Sequence, residues 1–398
     1  MTGKPRHIGV AERRARLGLR QRLAAAAREA TPEEVADSLV ALHGSDPATV
    51  YLAVGARLAD ARKTVPQVER ALYEDRSLVR MHGMRNTVFV FPTALAAVVH
   101  ASTGLDLAAK ARADLVKDMT AGSGGRLTGR WLDEVEASAL TALALRGQAT
   151  VNELTGDEPR LKEQFAYAPG KSYEGVHTVS SRLMRVLGFE GRVVRGRPLG
   201  SWTSSQFRWA VAPPHPPLPP DEARAGLMDR WLTACGPATE ADLKWWTGWK
   251  VTDVRRALAA SGAVAVSLDD GVTGYVAAGD EGPVDGPDAP WAALLPALDP
   301  TPMSRPDRDW FLDPALRPAL FDRSGNVGPT VWWDGRVVGG WAQRPGGEIV
   351  WRLPAAGDLG REALDAISAE AGRLQAWVGG TRIIPRFRTP LERELSAE

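Results

Sequence analysis

An eight-residue pattern that occurs twice constrains the fold of this chain more than any other feature. GQATVNEL at 147–154 aligns with GPATEADL at 236–243, and a helix is predicted before each copy. In both copies the threonine is placed to cap a short second helix. An amphipathic helix and a hairpin-like stretch follow each copy. These elements are predicted at 180–191 and 191–210 after the first copy, and at 251–261 and 264–278 after the second.

Three helices followed by a hairpin is the element order of a winged helix-turn-helix. Residues 32–92 give the same order a third time, in the most diverged form. Thr31-Pro32-Glu33-Glu34 predicts the start of the first of its helices. Helices are predicted there at 32–42, about 47–60 and about 65–75, and a strand at MRNTVFVFP (84–92).

The last hundred residues have a different character. GPTVWWDGRVVGGWAQRPGGEIVWRL (328–353) alternates strand-forming residues with two turn signals, and a helix is predicted at 360–377. This pattern indicates a small β-barrel, or a sheet with a covering helix. We therefore predict an α+β chain with three winged helices, a C-terminal barrel-like domain and a proline-rich linker at 212–220. The predicted domains are 1–125, 126–211, 221–285 and 290–398.

Composition limits the classes of function. The 398 residues carry a formal net charge of +1, which argues against polyanion binding by the whole molecule but allows local patches. Residues 181–209 contain six arginines and one glutamate, whereas 279–290 contain four acidic residues and no basic one. A single cysteine, Cys235, excludes an internal disulfide and favours a reducing, cytoplasmic compartment. No apolar run is long enough to span a membrane, and the N-terminus lacks the apolar core of a signal peptide.

Few residues suit cofactor or metal chemistry. The six histidines show no metal-ligand spacing and no paired cysteine or carboxylate pattern. GSGGRLTGR (122–130) lacks the ending of a phosphate-binding loop, and the nucleophile elbow G-x-S-x-G does not occur. We therefore expect neither a metal nor a cofactor.

Basic residues on a predicted helix and wing favour nucleic-acid binding. Arg182 and Arg185 are three residues apart and share one helix face, while Arg195 and Arg197 lie on the following hairpin. A solvated charged face is the alternative. In LKWWTGWK (243–250), Lys244 and Lys250 are further candidates for phosphate contacts. The tryptophans between them are expected to pack against neighbouring helices, with base stacking as the alternative.

HGSDP (43–47) separates two predicted helices and allows two interpretations. As a structural turn, His43 would lie in the last turn of the first helix and Gly44 would end it. Ser45 or Asp46 would then cap the second helix, and Pro47 would open it. As a functional corner, the same turn would present His43 and Ser45 beside helix N-terminal amides, where a water or an anion can bind.

The chain resembles the AlkZ/YcaQ-like winged-helix DNA glycosylases, bacterial enzymes that remove bulky or crosslinking alkylated purines. The similarity is carried by the order of several stretches and not by one diagnostic motif. They are RRARLGL (13–19), LVALHGSDPATVYLAVGARL (39–58), MRNTVFVFP (84–92), GPATEADLKWWTGW (236–249), LLPALDPTPMSRPDRDWF (294–311), 331–341 and FRTPLEREL (387–395). In that family three winged helices and a β-barrel form a C-shaped cleft for duplex DNA.

The resemblance implies a catalytic motif Gln-x-Gln or Gln-x-Asp, and His43-Gly44-Ser45 stands at the matching position. Either His43 and Ser45 carry out the same step, or the chain is a DNA-binding relative that has lost catalysis. The polar replacements favour retained chemistry, with His43 and Ser45 holding the attacking water and Asp46 helping to orient it or His43. Arg85, Asn86 and Thr87 are expected near DNA.

These inferences predict a monomeric, monofunctional glycosylase that acts on bulky N7-guanine adducts in duplex DNA. It would serve base-excision repair or self-resistance to a DNA-alkylating natural product, in the cytoplasm at the nucleoid. We expect activity to fall as the pH drops through the range where a histidine becomes protonated, because a cationic His43 would repel a cationic lesion. The alternative is a non-enzymatic winged-helix regulator, which would usually be a dimer.

Overall fold

The computed structural model describes residues 4–168, 170–353 and 359–397 of a mixed α+β chain. The chain divides into two compact units. Unit 1 comprises Met1–Val79, Phe89–Ala94 and Arg224–Glu398, and unit 2 comprises Arg80–Val88 and Leu95–Ala223. The division into four domains stays a prediction.

The first repeat segment combines helices with a three-stranded sheet. Helix α1 (Val10–Arg20) precedes it, and its elements are α2 (Pro32–Leu39), β1 (Leu42–His43), α3 (Pro47–Gly55), α4 (Thr64–Tyr73), β2 (Leu78–His82) and β3 (Val88–Pro92). The strand order is β1-β3-β2, with β1 antiparallel to β3. The chain leaves unit 1 within β2 and returns to it at the start of β3.

The second repeat segment belongs to unit 2. A helical stretch made of α5 (Ala96–Val99), a π-turn at His100–Gly104 and α6 (Leu105–Gly122) precedes it. The segment itself contains α7 (Gly129–Arg146), α8 (Val151–Asp157), β4 (Gln164–Tyr167), β5 (Gly175–Thr178), α9 (Val179–Phe189), β6 (Val193–Pro198) and β7 (Phe207–Val211). The β4–β5 hairpin lies between the second and third helices and was not predicted.

The third repeat segment has the same core elements without that additional hairpin. They are α10 (Pro220–Cys235), α11 (Glu240–Thr247), α12 (Val251–Ala260), β8 (Val264–Ser267) and β9 (Thr273–Val276). The predicted threonine caps are confirmed, since Thr150 and Thr239 each accept a hydrogen bond from the backbone amide three residues later, at 3.2 and 3.1 Å. The acidic residue at that third position bonds back to each threonine amide and completes a capping box.

A four-stranded antiparallel sheet forms the C-terminal part of unit 1. Its strands follow in sequence order, and four helices accompany them. The elements are β10 (Ala292–Leu295), α13 (Pro300–Met303), α14 (Arg317–Leu320), β11 (Thr330–Trp333), β12 (Arg336–Gln343), β13 (Ile349–Arg352), α15 (Gly360–Val378) and α16 (Pro390–Ala397).

The predicted β-barrel is not found among the described residues, whereas a sheet with a covering helix is. A closed barrel requires pairing between its first and last strands. Here β10 and β13 are the two edges of the sheet. Helix α15 packs on β10, β11 and β13, and α16 packs on β12 and β13, so helices cover the sheet in place of further strand pairing.

A fully buried ion pair lies in unit 1. The side chains of Arg57 and Asp299 are both 0% exposed, and the guanidinium donates to the two carboxylate oxygens at 2.9 and 2.7 Å. Arg57 also donates to the carbonyls of Gln21 and Ala53 and to the hydroxyl of Thr301, each at 2.8 Å. All five guanidinium donors therefore have partners, which is what burial of an arginine requires.

In unit 2, His82 is buried against the ring of Phe189, with centroids 4.2 Å apart. Burial, together with the charges of Arg195 and Arg185, lowers the pKa of His82 to about 3. His82 is therefore neutral in the folded chain at pH values where it would be protonated in the unfolded chain.

Unfolding should become easier as the pH falls, because protonation of His82 favours the unfolded chain below pH 6.5. Each pH unit between that value and the folded pKa corresponds to about 1.4 kcal/mol. We expect the free energy of unfolding to be about 2 kcal/mol lower at pH 5 than at pH 7 from this group alone. Urea denaturation of the wild type and of His82→Gln at both pH values measures this difference in the free energy of unfolding. An equal pH dependence in the variant would contradict the assignment.

Candidate catalytic turn and nucleic-acid interface

The HGSDP stretch joins a strand to a helix, which corrects the prediction of a helix–helix corner. Helix α2 ends at Leu39, and Val40 has a φ of +64°. His43 then lies in β1 opposite Phe89 of β3, so it is not in a last helical turn and Gly44 is not a helix-terminating residue. The local sequence pattern predicts a helix at His43, but pairing with a strand that is distant in the sequence makes this residue part of a strand. Only the tertiary structure shows that pairing.

In the other two repeat segments, the link between the strand-bridging residue and the helix cap is shorter. Ala149 exchanges backbone hydrogen bonds of 2.9 and 2.7 Å with Trp209, and Ala238 exchanges bonds of 3.0 and 2.8 Å with Tyr275. In each of those segments the threonine cap follows the bridging alanine immediately. After His43, two further residues precede the cap of α3. The Gly44-Ser45 insertion thus distinguishes this turn from the two other copies.

The side chain of His43 is held in a fixed environment. It is 7% exposed, and its ring meets that of Phe89 edge-on, with centroids 5.3 Å apart and planes at 63°. Ser45 is half-buried and contributes more exposed surface than its neighbours in the turn. His43 therefore lies at the end of β1, where β3 pairs with it, and Ser45 lies two residues later in the turn to α3.

Asp46 is the helix cap, and its carboxylate holds the turn together. One oxygen accepts from the amide of Ala48 at 3.1 Å, and the other accepts from the amide of Arg386 at 2.8 Å. The Arg386 guanidinium also donates to the carbonyl of Ser45 at 3.2 Å. These bonds support a positioning role for Asp46, and its direct help to the water stays a proposal.

The amides at the start of α3, which the functional interpretation places beside a water or an anion, are bonded within the turn. Pro47 has no amide hydrogen, the amide of Ala48 donates to the Asp46 carboxylate, and the amide of Thr49 donates to the Asp46 carbonyl at 3.3 Å. Since these donors are used within the turn, the helix N-terminus does not present them to a ligand.

Replacing Asp46 should affect stability before chemistry. Asp46→Ala removes a helix cap and leaves the buried amide of Ala48 and the partly buried amide of Arg386 without their acceptor, so we expect a loss of about 2 kcal/mol in the free energy of unfolding. Asp46→Asn should lose less, because its amide oxygen can still accept. Asp313→Ala, at the exposed cap of a short 3₁₀ turn, is the matched control. Equal midpoints in urea for Asp46→Ala and the control would exclude the positioning role.

Arg85, Asn86 and Thr87 form a tight turn between β2 and β3, which corrects the predicted strand at 84–87. Arg85 and Asn86 both have positive φ, at +54° and +59°. This conformation is unusual for two successive non-glycine residues. Gly83 and Thr87 close the turn by a backbone hydrogen bond of 2.8 Å. The turn leaves Asn86 exposed, Arg85 half-buried and Thr87 half-buried.

Three of the predicted DNA-contacting residues meet in unit 2. Asn86, Arg182 and Arg185 line one cavity of about 170 Å³ between α6 and α9, here named the α6/α9 cavity. Lys110 and Asp114 of α6 line it as well and were missed. A signal was present in the sequence, because residues 107, 110, 111 and 114 share one helix face. Nothing in the sequence indicated which helix that face would meet.

The remaining candidates do not join this cluster. Arg195 packs over the rings of Phe207 and Trp209, at 4.5 and 5.6 Å from their centroids, and Arg197 is exposed on β6. Lys244 and Lys250 are exposed in unit 1. Between them, Trp246 and Trp249 are 6% and 8% exposed, which confirms the packing interpretation for both.

Comparison with known proteins identifies the family. The family described as DNA glycosylase AlkZ-like matches residues 36–377. The chain belongs to the AlkZ-like DNA glycosylases. Among solved structures it is similar to the DNA glycosylase AlkZ of Streptomyces sahachiroi, with a TM-score of 0.69 and 20% identity over 93% of this chain and 97% of that one. At this identity the likeness shows a shared fold. No curated protein matched.

Membership of the AlkZ-like family implies DNA as the substrate. The matched residues include the HGSDP turn and the α6/α9 cavity. Among the residues that the structure describes, no cluster of three or more histidine, cysteine, aspartate or glutamate side chains is placed to hold a metal ion. Nor is any helix of that described part long and apolar enough to cross a membrane.

Proposed function

We propose that this AlkZ-like protein is a monofunctional DNA glycosylase that hydrolyses the N-glycosidic bond of N7-alkylated purines in duplex DNA, bulky guanine adducts above all. The observation that carries the proposal is the presence of His43 and Ser45 on the braced strand-to-helix turn, at the position that matches the family's catalytic motif. We propose roles in base-excision repair or in self-resistance to an alkylating natural product. The site of action is the cytoplasm, at the nucleoid.

The chemistry of the substrate fits these two side chains. An N7-alkylated guanine is cationic, so the C1′–N9 bond can break with its electron pair moving to the base and no acid is required. The sugar becomes oxocarbenium-like, and a water must add to C1′ and lose a proton. Neutral His43 accepts that proton, and the hydroxyl of Ser45 holds the water. The turn from residue 43 to 47 contains no lysine, so no Schiff base with the sugar is expected.

The fold supports a DNA-binding role for the three repeat segments. Each has helices, a bridging strand position and a hairpin in the order of a winged helix. We propose that they are three winged-helix domains in one monomer, with the C-terminal sheet as a fourth domain. A regulator would usually be a dimer that matches two half-sites. Three binding modules in one chain favour a single lesion site instead.

A substrate panel tests this function. Duplexes with N7-methylguanine, with a bulky N7-guanine adduct and with unmodified guanine are incubated with the wild-type protein, and free base and strand breaks are measured. We expect release from both adducts, no release from the unmodified duplex, and an abasic strand that breaks only after alkali. Tight binding to all three duplexes without release would instead support the regulator.

A further inference from the structure

A small buried cavity in unit 1 is enclosed by helix α1, by the turn between α10 and α11 and by residues 304–310. It measures about 10 Å³, and one water or one ion of similar size needs roughly 10–15 Å³. The polar side chains on its wall include those of Arg13, Gln21, Cys235, Arg305 and Trp310, which are 3–8% exposed. A ligand of this cavity, here named the Arg13 cavity, is therefore of atomic size and shielded from solvent.

Two guanidinium groups of the wall lie against the same indole ring. Arg13 is 4.2 Å and Arg305 is 5.3 Å from the ring centroid of Trp310. In the described part of the chain, Arg305 donates to uncharged partners only, namely two backbone carbonyls and one hydroxyl. A third arginine of the wall, Arg16, is already paired with the carboxylates of two acidic side chains. The charges that lack a close partner are therefore those of Arg13 and Arg305.

Nearby carboxylates balance these two charges only in part. Asp307 has an oxygen 4.0 Å from Nη2 of Arg13, but its side chain is 55% exposed to solvent. Asp242 and Asp269 act on Arg13 from a greater distance. Burial and the charge of Arg305 outweigh all three carboxylates and lower the pKa of Arg13 to about 10. Because buried charges require a counter-ion, this environment favours an anion.

The wall also has more donors than acceptors that lack a hydrogen-bond partner. Nε and Nη2 of Arg13 and Nε1 of Trp310 are buried without a partner among the described residues. The only comparable acceptor on this wall, within the same residues, is Oε1 of Gln21. A water accepts about two hydrogen bonds and must also place its own hydrogens. An anion accepts from every donor around it, so it fits this wall better than a water.

The side chain of Gln21 can become a further donor. Its Nε2 donates to Sγ of Cys235 at 3.4 Å, which leaves Oε1 unpartnered. Burial raises the pKa of the Cys235 thiol to about 11, so the thiol keeps its hydrogen. A half-turn of the amide lets Oε1 accept that hydrogen and brings the N–H groups to the place where Oε1 lies. The wall then has donors only.

We propose that the Arg13 cavity binds one monatomic anion, with chloride as its ligand in the cell. The ion accepts from Arg13 and Trp310 and offsets the repulsion between the two guanidinium groups. It thereby links α1 to residues 304–310 within unit 1. A phosphate is too large for about 10 Å³, so a nucleic acid is not the ligand of this site. The inference does not depend on the proposed function.

Stability in chloride tests the proposal. Urea unfolding is measured in mixtures of sodium chloride and sodium gluconate at one ionic strength, so that surface ion pairs are screened equally. Gluconate is a large organic anion that cannot enter the cavity. Since one ion is released on unfolding, each tenfold increase in chloride above its Kd should raise the ratio of folded to unfolded protein about tenfold. This change corresponds to about 1.4 kcal/mol.

Three variants locate the effect. Arg13→Gln removes the guanidinium and should abolish the chloride dependence. Arg361→Gln is the matched control, because that arginine of unit 1 is 93% exposed, and it should behave as the wild type. Asp307→Asn removes a competing carboxylate from an exposed position, so chloride should act at an about threefold lower concentration.

Each result supports the proposal or overturns it. A wild type that is equally stable in chloride and gluconate overturns it, because the cavity then holds a water. A chloride dependence that survives Arg13→Gln overturns it as well, since the ion then binds elsewhere. If Arg13→Gln does not fold, Asp307→Asn decides. A response at lower chloride supports the Arg13 cavity, and an unchanged response contradicts it.

Discussion

The His43→Ala variant is expected to release N7-alkylated guanine about 100-fold to 10,000-fold more slowly than the wild type, the usual range for loss of a general base. Its affinity for the damaged duplex should stay close to that of the wild type, because the side chain is only 7% exposed and contributes little contact surface. Single-turnover rates at saturating protein give the chemical step directly. Binding of the same duplex is measured by anisotropy.

Two further variants make this result specific to position 43. His7→Ala removes a histidine of unit 1 whose side chain is 58% exposed, and it should release base at the wild-type rate. His43→Gln places the family's glutamine at the first motif position and should retain measurable release by orienting the water. If His43→Ala matched the wild type on a good substrate, the assignment of the site would be wrong.

Arg57→Met is expected to lower the free energy of unfolding by about 3–5 kcal/mol, the typical cost of removing one partner from a buried ion pair. The substitution leaves Asp299 fully buried without its counter-ion, and it also leaves the Gln21 and Ala53 carbonyls without donors. Asp299→Ala should cost a similar amount, because the buried guanidinium then lacks its carboxylate. Urea denaturation followed by circular dichroism measures both.

A double variant and an exposed pair complete this experiment. Arg57→Met with Asp299→Leu should be less destabilising than the sum of the single changes, because no unpaired charge remains. Arg62→Met breaks the ion pair with Asp60, in which the side chain of Arg62 is 82% exposed. This change should lower the free energy of unfolding by less than about 1 kcal/mol. Equal losses in Arg57→Met and Arg62→Met would show that the buried pair does not stabilise the fold.

Local signals in the sequence predicted much of the secondary structure. Thr150 and Thr239 determine the start of their helices through bonds within four residues, so a pattern of eight letters was sufficient. The hairpin β11–β12 follows from the Asp334-Gly335 turn for the same reason. These elements depend on residues that are neighbours in the sequence, so the local sequence pattern is sufficient to predict them.

Elements that depend on distant partners were predicted wrongly or missed. His43 was expected in a helix because its local pattern is helical, yet it pairs with Phe89, 46 positions later. The carboxylate of Asp46 is shared with Arg386, and Arg57 pairs with Asp299. Arg57 and Asp299 lie in two stretches that carry the family resemblance, 39–58 and 294–311. Nothing in either stretch indicated that the two residues meet in the core.

The candidate nucleic-acid interface rests on residue type and not on a predicted arrangement. Arg182 and Arg185 were identified from their number and spacing, which any basic helix face would share. Their convergence with Asn86 depends on how α6 and α9 pack in unit 2, so the cavity could not be predicted. Lys110 and Asp114 were missed for the same reason.

The central claim is that the HGSDP turn carries out glycosidic hydrolysis, and one measurement tests it most directly. Single-turnover release of a bulky N7-guanine adduct from duplex DNA is followed for the wild type and for the double variant His43→Ala/Ser45→Ala, at protein concentrations that saturate binding of both. The wild type is predicted to release the adduct base while the double variant binds the duplex equally well and releases none. Equal rates for the two proteins, or no release by the wild type, would contradict the claim.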